Sequence, residues 1–311
     1  MYTKTFDLIT RNDVGEAGGK GAFLGELTRR GVIVPPGFVV LTQSFDHFLN
    51  ANNLNTRIKD SFNTLNRGEG SIETISDELI SFFDNAEIPQ DIVKDIKSQY
   101  SLLGAELVAV RSSATAEDNA DRSWAGQLES FLNVSSDNLL LSVKRCWASL
   151  YSKRAISYTL NEQENPEPIS VAVVIQEMVN PEISGIAFSV NPVNEDRDEM
   201  IIEAAFGLGE AIVQGEITPD HYRINKTSFA MLDIIPSIQE HGIFMLEDGT
   251  TGWKHIDKQK GGLQKLSDNE ITELVKAVIA IENIAGFPCD IEWTYYKGRF
   301  NFVQCRPITT L

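Results

Sequence analysis

The sequence is poor in several residue types, and each scarcity argues against a class of protein. Its three cysteines show no C-x-x-C spacing, which argues against a disulfide framework or a zinc site and fits a reducing cytoplasm. Its four histidines are scattered, and none is paired at metal-ligand spacing. No apolar run is long enough to span a bilayer, and the first residues lack the apolar core of a signal peptide. We therefore expect a cytoplasmic protein without a membrane partner.

Positive charge is also scarce. The chain carries 27 basic against 44 acidic residues, a net charge of -17, whereas binding nucleic acid requires a basic surface. We therefore expect no nucleic-acid partner, and any phosphate ligand must be held locally by a few Lys and Arg side chains together with a metal ion. The length of 311 residues predicts two lobes or two domains.

Three common enzyme motifs are missing. The pattern G-x-G-x-x-G fails because its third glycine falls on Ile212, which excludes a dinucleotide enzyme of the usual kind. A Walker A loop fails because Val14 stands where its first glycine would be. No serine lies in a G-x-S-x-G elbow, so Ser-His-Asp hydrolysis lacks support.

Near the end of the chain, acidic and amide side chains alternate with apolar ones on two predicted strands joined by a turn at Lys297-Gly298. Side chains two residues apart share a face of a strand, so Asp290 points the same way as Glu292, and Gln304 the same way as Arg306. Hard oxygen donors of this kind suit Mg²⁺, with substrate phosphates completing its coordination. The alternative is an exposed hairpin with a solvated ion pair.

A glycine-rich segment, Gly18-Gly19-Lys20-Gly21, precedes a helical pattern that ends at Gly31. The start of a helix offers backbone N–H groups and the positive end of its dipole to an anion, and Lys20 adds a charge. A loop with a solvated lysine is the alternative interpretation.

Arg111 directly follows a short apolar strand. The hydroxyl and N–H groups of Ser112 and Thr115 are candidates to line a phosphate loop beside its guanidinium. A structural arginine paired with Glu117 or Asp118 is the alternative.

Two further segments are candidates for nucleotide contacts. The small residues around Gly126 and Gln127 allow close approach of the backbone to a triphosphate, although a surface turn has the same composition. The end of another apolar strand is typical of a segment that pairs with adenine, and it comprises Gln176, Glu177, Met178 and Val179.

The order of elements favours an α+β or mixed α/β fold with an antiparallel sheet, because helices and strands alternate without the regular repeat of a barrel. Apolar residues from Leu139 to Tyr158 predict one long amphipathic helix. Ser267 and Glu270 form a capping-box pattern before a second helix, which Gly286 closes.

Taken together and in order, these motifs resemble the amino-terminal ATP-binding domain of the phosphoenolpyruvate synthase, pyruvate phosphate dikinase and rifampin phosphotransferase family. The resemblance covers essentially the whole chain and rests on the segments Gly18–Gly21, Val34–Phe38, Val110–Asp118, Ala125–Gln127, Gln176–Val179, Gly207–Glu210, Asp290–Trp293 and Gln304–Thr309. It implies an ATP-grasp-type fold whose two lobes clamp the nucleotide. We place the lobes at 1–175, with the phosphate loops, and at 176–311, with the metal site.

The resemblance also implies a reaction and roles for residues. In that family, ATP is cleaved to AMP and phosphate, and the β-phosphoryl group passes to a histidine on a separate domain. Lys20 and Arg111 would hold the triphosphate, with Arg306 near its far end. Glu292 and Gln304 would bind Mg²⁺, and Asp290 would support that site or bind a second ion. The strand end from Gln176 to Val179 would contact adenine, and Glu182 is a candidate for the ribose.

The chain departs from the family pattern at its end. It stops at Leu311, and none of its histidines has the small-residue context of the phosphorylated histidine in the family. We therefore expect dependence on a phosphohistidine-carrying domain or subunit. A regulatory or scaffold protein that binds nucleotide without turnover stays open, as does a stand-alone kinase with another acceptor, and the final acceptor is undetermined.

Overall fold

The computed structural model describes residues 1–115, 118–119, 122–123, 128–161 and 169–308. The chain forms two compact units. The first comprises residues 1–25 and 36–178, and the second comprises 26–35 and 179–311. The lobe boundary between residues 175 and 176 stays a prediction. The division into units falls between Met178 and Val179 instead, and it assigns 26–35 to the second unit.

The first unit combines a five-stranded antiparallel sheet with helices. Its strands are ordered β1-β2-β7-β3-β6. In chain order the elements are β1 (Thr3–Thr5), α1 (Val14–Arg29, whose last four residues belong to the second unit), β2 (Gly37–Val40), α2 (Thr42–Ala51), α3 (Leu54–Asn66), α4 (Ile72–Asn85), α5 (Gln90–Leu103), β3 (Val108–Ala114), β4 (Asp118–Asn119), β5 (Arg122–Ser123), β6 (Ser130–Val134), α6 (Leu139–Ala148), α7 (Lys153–Asn161) and β7 (Val171–Glu177).

Alternation along β3 separates an apolar face of this sheet from a polar one. Val108, Val110 and Ala114 are fully buried in a hydrophobic core with residues of α2, α4, α5 and α6. Arg111 and Ser113 occupy the intervening positions and so lie on the opposite face. The core thus covers one side of the sheet, and the predicted phosphate-binding arginine lies on the other.

The prediction of one long helix from Leu139 to Tyr158 was wrong. The chain forms α6, then a 3-10 turn at 149–151, then α7. Ser152 is extended, with φ of -63° and ψ of 153°, and its hydroxyl accepts from the N–H of Ala155. A serine side chain can replace a backbone hydrogen bond of the helix and so interrupt it. The apolar periodicity continues across this break, so periodicity alone does not predict it.

The second unit contains a six-stranded antiparallel sheet, ordered β11-β10-β9-β8-β14-β15, and a separate hairpin of β12 and β13. The elements are β8 (Ile183–Phe188), β9 (Glu199–Phe206), α8 (Glu210–Val213), β10 (Asp220–Asn225), β11 (Met231–Ile235), β12 (His241–Met245), β13 (Thr251–His255), α9 (Lys258–Gly261), α10 (Asp268–Ala285), β14 (Cys289–Tyr296) and β15 (Arg299–Pro307). Sheets and helices in both units confirm the α+β prediction.

Alternation on β14 again gives the sheet one apolar and one polar face. Ile291 and Trp293 are 0% and 1% exposed, whereas Asp290 and Glu292 lie on the other side of the strand. Helix α10 contacts β14 and buries a stripe of apolar residues, Ile271, Leu274, Val275, Val278 and Ile281. The face with Ile291 therefore packs against α10, and Asp290 and Glu292 lie on the opposite face.

A fully buried ion pair joins β10 to the segment before α10. Lys265 Nζ lies 2.8 Å from Asp220 Oδ1, and both side chains are 0% exposed. Asp220 also accepts from the Tyr222 hydroxyl at 2.7 Å and from the N–H groups of Ser237 and Lys265, each at 2.8 Å. Every donor surrounding the carboxylate is thus directed at it, which fixes the segment against the sheet.

Among the helices that the structure describes, none combines the length and apolarity needed to cross a membrane.

Candidate functional site

Polar side chains from several strands form rows on the face of the six-stranded sheet opposite α10. Glu292 is paired with Gln304 across β14 and β15, and Asp290 is paired with Arg306 one row further along. Directly paired residues of antiparallel strands point to the same face. The structure therefore brings together all four of the residues that the sequence assigned to the metal and phosphate site in this unit.

A β-bulge separates these rows from the buried part of the same strand pair. The register shifts between Glu292 and Trp293, so that Trp293 is paired with Phe302 and Val303 is the extra residue. Trp293 packs edge-on against Phe300, with ring centroids 5.5 Å apart. An extra residue on one strand twists and re-aims it, so the bulge lets an aromatic core and a polar site follow each other within two residues.

The Asp290 carboxylate is held by Arg306. Its Oδ2 accepts from Arg306 Nε at 2.8 Å and lies 2.7 Å from Nη2. Burial nevertheless raises the pKa of Asp290 above its ordinary value, with Arg306 acting in the opposite direction and the charge of Glu292 adding to the rise. A second positive charge near this pair would therefore be stabilising.

The donor set fits Mg²⁺. Asp290 Oδ1 is buried without a hydrogen-bond partner, so one carboxylate oxygen has unused acceptor capacity. Glu292 and Gln304 add hard oxygen donors in the adjacent row. Within the described ranges, no group of three or more His, Cys, Asp or Glu side chains is placed to hold a metal by itself. Such a sparse set suits an ion that takes most of its ligands from phosphate and water.

The row through Glu292 continues to two residues that sequence reasoning did not select. Glu292 is paired with Ile186 of β8, Ile186 with Glu203 of β9, and Glu203 with His221 of β10. In the sequence, His221 is one of the scattered histidines without metal-ligand spacing, and no motif marks Glu203. Their strands are separate in sequence from β14, so only the pairing of β8 with β14 reveals that they share the face.

In the first unit, the glycine-rich segment forms a kink rather than a simple helix start. Gly18 has φ of 67° and ψ of 173° inside α1, so the regular helix begins after it. The Ser113 hydroxyl donates to Ala17 O at 2.9 Å and accepts from Gly21 N–H at 3.1 Å. The N–H of Gly21, in the segment predicted to bind an anion, is therefore already hydrogen-bonded to Ser113 near the end of β3.

Gly18 permits this close packing. A Cβ at this position would lie 2.1 Å from Ser113 O, and its positive φ also disfavours other residues. We expect Gly18→Ala to lower the free energy of unfolding by about 2–5 kcal/mol, from backbone strain and overpacking together, in urea denaturation. Gly104→Ala is the matched control, because Gly104 has the same φ of 67° with nothing within 4 Å. Equal losses in the two variants would contradict the packing argument.

Lys20 and Arg111, the two basic residues of this unit that were predicted to bind the triphosphate, lie close to each other. Lys20 Nζ donates to the carbonyl oxygen of Ser112 at 3.0 Å, next to Arg111 in β3. Arg111 is partly exposed, on the face away from the hydrophobic core. The kink at Gly18 and the end of β3 therefore present one lysine and one arginine together.

Ser112 and Thr115 occupy different positions from those predicted. Ser112 is 1% exposed, and its hydroxyl donates to Glu129 O at 2.9 Å, so it has a structural position on the core side of β3. The N–H of Thr115 donates to Ser170 O, and its hydroxyl accepts from Ser170 N–H. Strand alternation explains Ser112, because it points opposite to Arg111. The predicted residues Gly126 and Gln127 lie outside the described residues, as does Glu117.

The predicted adenine segment forms the end of β7. Gln176 is 2% exposed, and the backbone N–H groups of Glu177 and Met178 donate to Pro36 O and Leu107 O at 2.8 and 3.0 Å. These two N–H groups are therefore bonded within the first unit, and contact of the segment with adenine stays a prediction. Val179 follows as the first residue of the carboxyl-terminal part of the second unit.

Glu182, the candidate for the ribose, is exposed at the start of β8. Its carboxylate accepts from the N–H of Lys297, in the turn between β14 and β15, at 3.1 Å. That turn has φ of 47° at Lys297 and 74° at Gly298, as a two-residue hairpin requires. The predicted hairpin is confirmed, and Glu182 is positioned by it.

Comparison with known proteins matches nearly the whole chain to one family. The model of the pyruvate phosphate dikinase AMP/ATP-binding domain matches residues 14–311. A probable phosphoenolpyruvate synthase from Methanocaldococcus jannaschii is 38% identical over 313 residues, which are 98% of this chain and 26% of that protein. Another from Archaeoglobus fulgidus is 41% identical over 312 residues, 97% of this chain and 41% of that protein.

Relatives of a second kind match equally completely. A rifampicin phosphotransferase from Bacillus cereus is 36% identical over 314 residues, covering 100% of this chain and 36% of that protein. The chain thus spans less than half the length of each of these three relatives. The chain belongs to the pyruvate phosphate dikinase AMP/ATP-binding domain family.

Proposed function

We propose that this chain is the ATP-binding part of a dikinase-type phosphotransferase. Its two lobes clamp ATP in the manner of an ATP-grasp fold, and ATP is cleaved to AMP and phosphate while the β-phosphoryl group passes to a histidine on a separate domain or chain. The observation that carries the proposal is the pairing of Asp290 with Arg306 and of Glu292 with Gln304 on one face of the sheet of the second unit. Membership of the family supports it.

The residues have distinct roles in this proposal. Lys20 and Arg111 bind phosphate oxygens, and Arg306 neutralises charge toward the far end of the triphosphate. Glu292 and Gln304 hold Mg²⁺, with the unpartnered Asp290 oxygen facing the same charge. When bound, the ion screens the negative charge of the phosphates. Phosphoryl transfer requires mainly positioning and such neutralisation, which cations and oxygen donors at fixed positions supply.

Calorimetric titration with ATP and Mg²⁺ tests nucleotide binding. We expect Lys20→Ala and Arg111→Ala each to weaken binding about 10–100-fold, because each removes a charged hydrogen-bond donor to phosphate. Lys97→Ala is the control, since Lys97 is exposed on α5 of the same unit. Undiminished binding in both site variants, or no binding by the unmodified chain, contradicts the proposal.

Product analysis then separates transfer from binding alone. After the chain is mixed with Mg²⁺, ATP and a histidine-bearing domain of one of the longer relatives, phosphorus NMR should show AMP and phosphate formed in equal amounts. ADP as the main product identifies a kinase with another acceptor. Bound ATP that stays intact identifies a nucleotide-binding protein without turnover.

A further inference from the structure

Glu203 lies on the sheet face that carries Glu292 and Gln304, the proposed metal ligands. It is partly buried in β9, between Ile186 and His221 in the cross-strand row that begins at Gln304 and Glu292. Its carboxylate makes no hydrogen bond and no ion pair to any residue in the described ranges. This contrasts with Glu199 on the same strand, which is bound by Asn191 and Arg223 at 2.8 and 3.0 Å.

A donor or a positive charge would stabilise the charged form of this carboxylate. Burial and the negative charge of Asp290 raise the pKa of Glu203, and only the charge of His221 opposes them. Both carboxylate oxygens keep some solvent exposure, so a ligand can reach them. A phosphate group does not suit this position, because it would bring like charge to the carboxylate. A ring that carries an N–H donor and gains positive charge during the reaction does suit it.

We propose that Glu203 is a positioning residue that binds the ring N–H of the imidazole that accepts the phosphoryl group. This inference rests on the proposed function, which supplies a histidine as the acceptor. A carboxylate bound to one ring nitrogen holds the imidazole in the tautomer whose other nitrogen is the nucleophile, and it stabilises the positive charge that develops on the ring.

The dimensions of the row suit this role. Glu203 and Glu292 are separated by β8, so their backbones lie about 10 Å apart, two strand spacings. One imidazole ring and one phosphoryl group together fill such a gap between a carboxylate and a metal-bound oxygen. Ile186 lies between the two glutamates in the row and is partly exposed, so it provides an apolar floor on which the ring can rest.

The transfer balances as follows. The unprotonated ring nitrogen attacks the β-phosphorus with its lone pair, and the bond from that phosphorus to the oxygen bridging the α-phosphorus breaks. AMP leaves with the bonding electrons. Water then adds at the γ-phosphorus, and phosphate leaves, so the β-phosphoryl group remains on the ring. The proton on the other ring nitrogen stays in its hydrogen bond to Glu203 throughout the first step.

Free imidazole and 1-methylimidazole test the inference in the chain itself. Both have an unprotonated ring nitrogen of similar basicity, but 1-methylimidazole has no N–H for Glu203. With Mg²⁺ and ATP present, AMP release by the unmodified chain should be stimulated about 10–100-fold more by imidazole than by 1-methylimidazole. Glu203→Gln should lose most of the stimulation by imidazole and most of this preference, while calorimetry shows unchanged binding of ATP with Mg²⁺.

Two further variants make the result specific. Glu203→Asp retains a carboxylate and should recover part of the preference for imidazole. Asp233→Asn, on the exposed edge strand β11 of the same sheet, should leave stimulation and preference unchanged. The inference is overturned if the unmodified chain binds ATP but responds equally, or not at all, to the two probes. Failure to bind ATP would instead overturn the proposed function.

Discussion

Replacing Lys265 by methionine is expected to destabilise the second unit by about 3–5 kcal/mol, because it leaves the Asp220 carboxylate buried without its counter-charge. Methionine preserves much of the side-chain volume, so the loss reports charge and hydrogen bonds rather than a cavity. The ammonium also donates to Ser237 O at 2.7 Å and Gly261 O at 3.1 Å, and both acceptors lose their partner. Native-state hydrogen exchange at β10 amides measures the loss in the unit concerned.

Lys153→Met is the matched control for this prediction. Lys153 pairs with Glu73, but their side chains are 51% and 68% exposed, so solvent screens the pair. Screening makes such exposed pairs weak, so the control should change stability far less than the Lys265 substitution does. If the two variants lose equal stability, burial of the Lys265 pair is not what stabilises the segment before α10.

The second large effect concerns Glu292. We expect Glu292→Gln to weaken ATP binding about 100-fold in the presence of Mg²⁺ and to leave the much weaker binding without Mg²⁺ nearly unchanged. The reason is that glutamine keeps the size and one oxygen donor of the side chain but removes the negative charge that a hard divalent cation requires. Calorimetric titrations with and without the metal separate the two contributions.

Glu273→Gln provides the same chemical change elsewhere in the unit. Glu273 is exposed on α10, away from the row of paired strands that holds Glu292. Its substitution should leave the Mg²⁺ dependence of binding as it is. Were Glu292→Gln to weaken binding equally with and without the metal, Glu292 would not be a metal ligand, and a structural role would explain the loss.

Local sequence patterns predicted the elements whose structure is determined by interactions between residues close in sequence. The capping box of Ser267 and Glu270 is formed at the start of α10, and Gly286 ends that helix in the left-handed conformation with φ of 76°. The hairpin of β14 and β15 likewise follows from alternation and from the turn at Lys297-Gly298. In each case, the groups that determine the structure lie within a few residues of each other.

Sequence patterns could not supply contacts between residues that are remote in sequence. The hydroxyl of Ser112, a predicted phosphate ligand beside Arg111, bonds to Glu129 O and the backbone of Cys146, which no local pattern indicates. Glu203 could not be selected, because its place in the row of Glu292 depends on β8 pairing with both β9 and β14. Periodicity reveals which face a residue shares with its own strand, and not which strand lies next to it.

The assignment of residues 26–35 to the second unit limits how this protein can be dissected. That segment lies between two parts of the first unit in sequence, yet its Ile33 carbonyl accepts from the N–H of Phe302 at 2.9 Å on the edge strand β15. Cutting the polypeptide after Met178 would therefore separate β15 from the segment 26–35, which hydrogen-bonds to it. Excision, domain grafting or circular permutation of the carboxyl-terminal half must carry this ten-residue insert with it or expose an unpaired strand to aggregation.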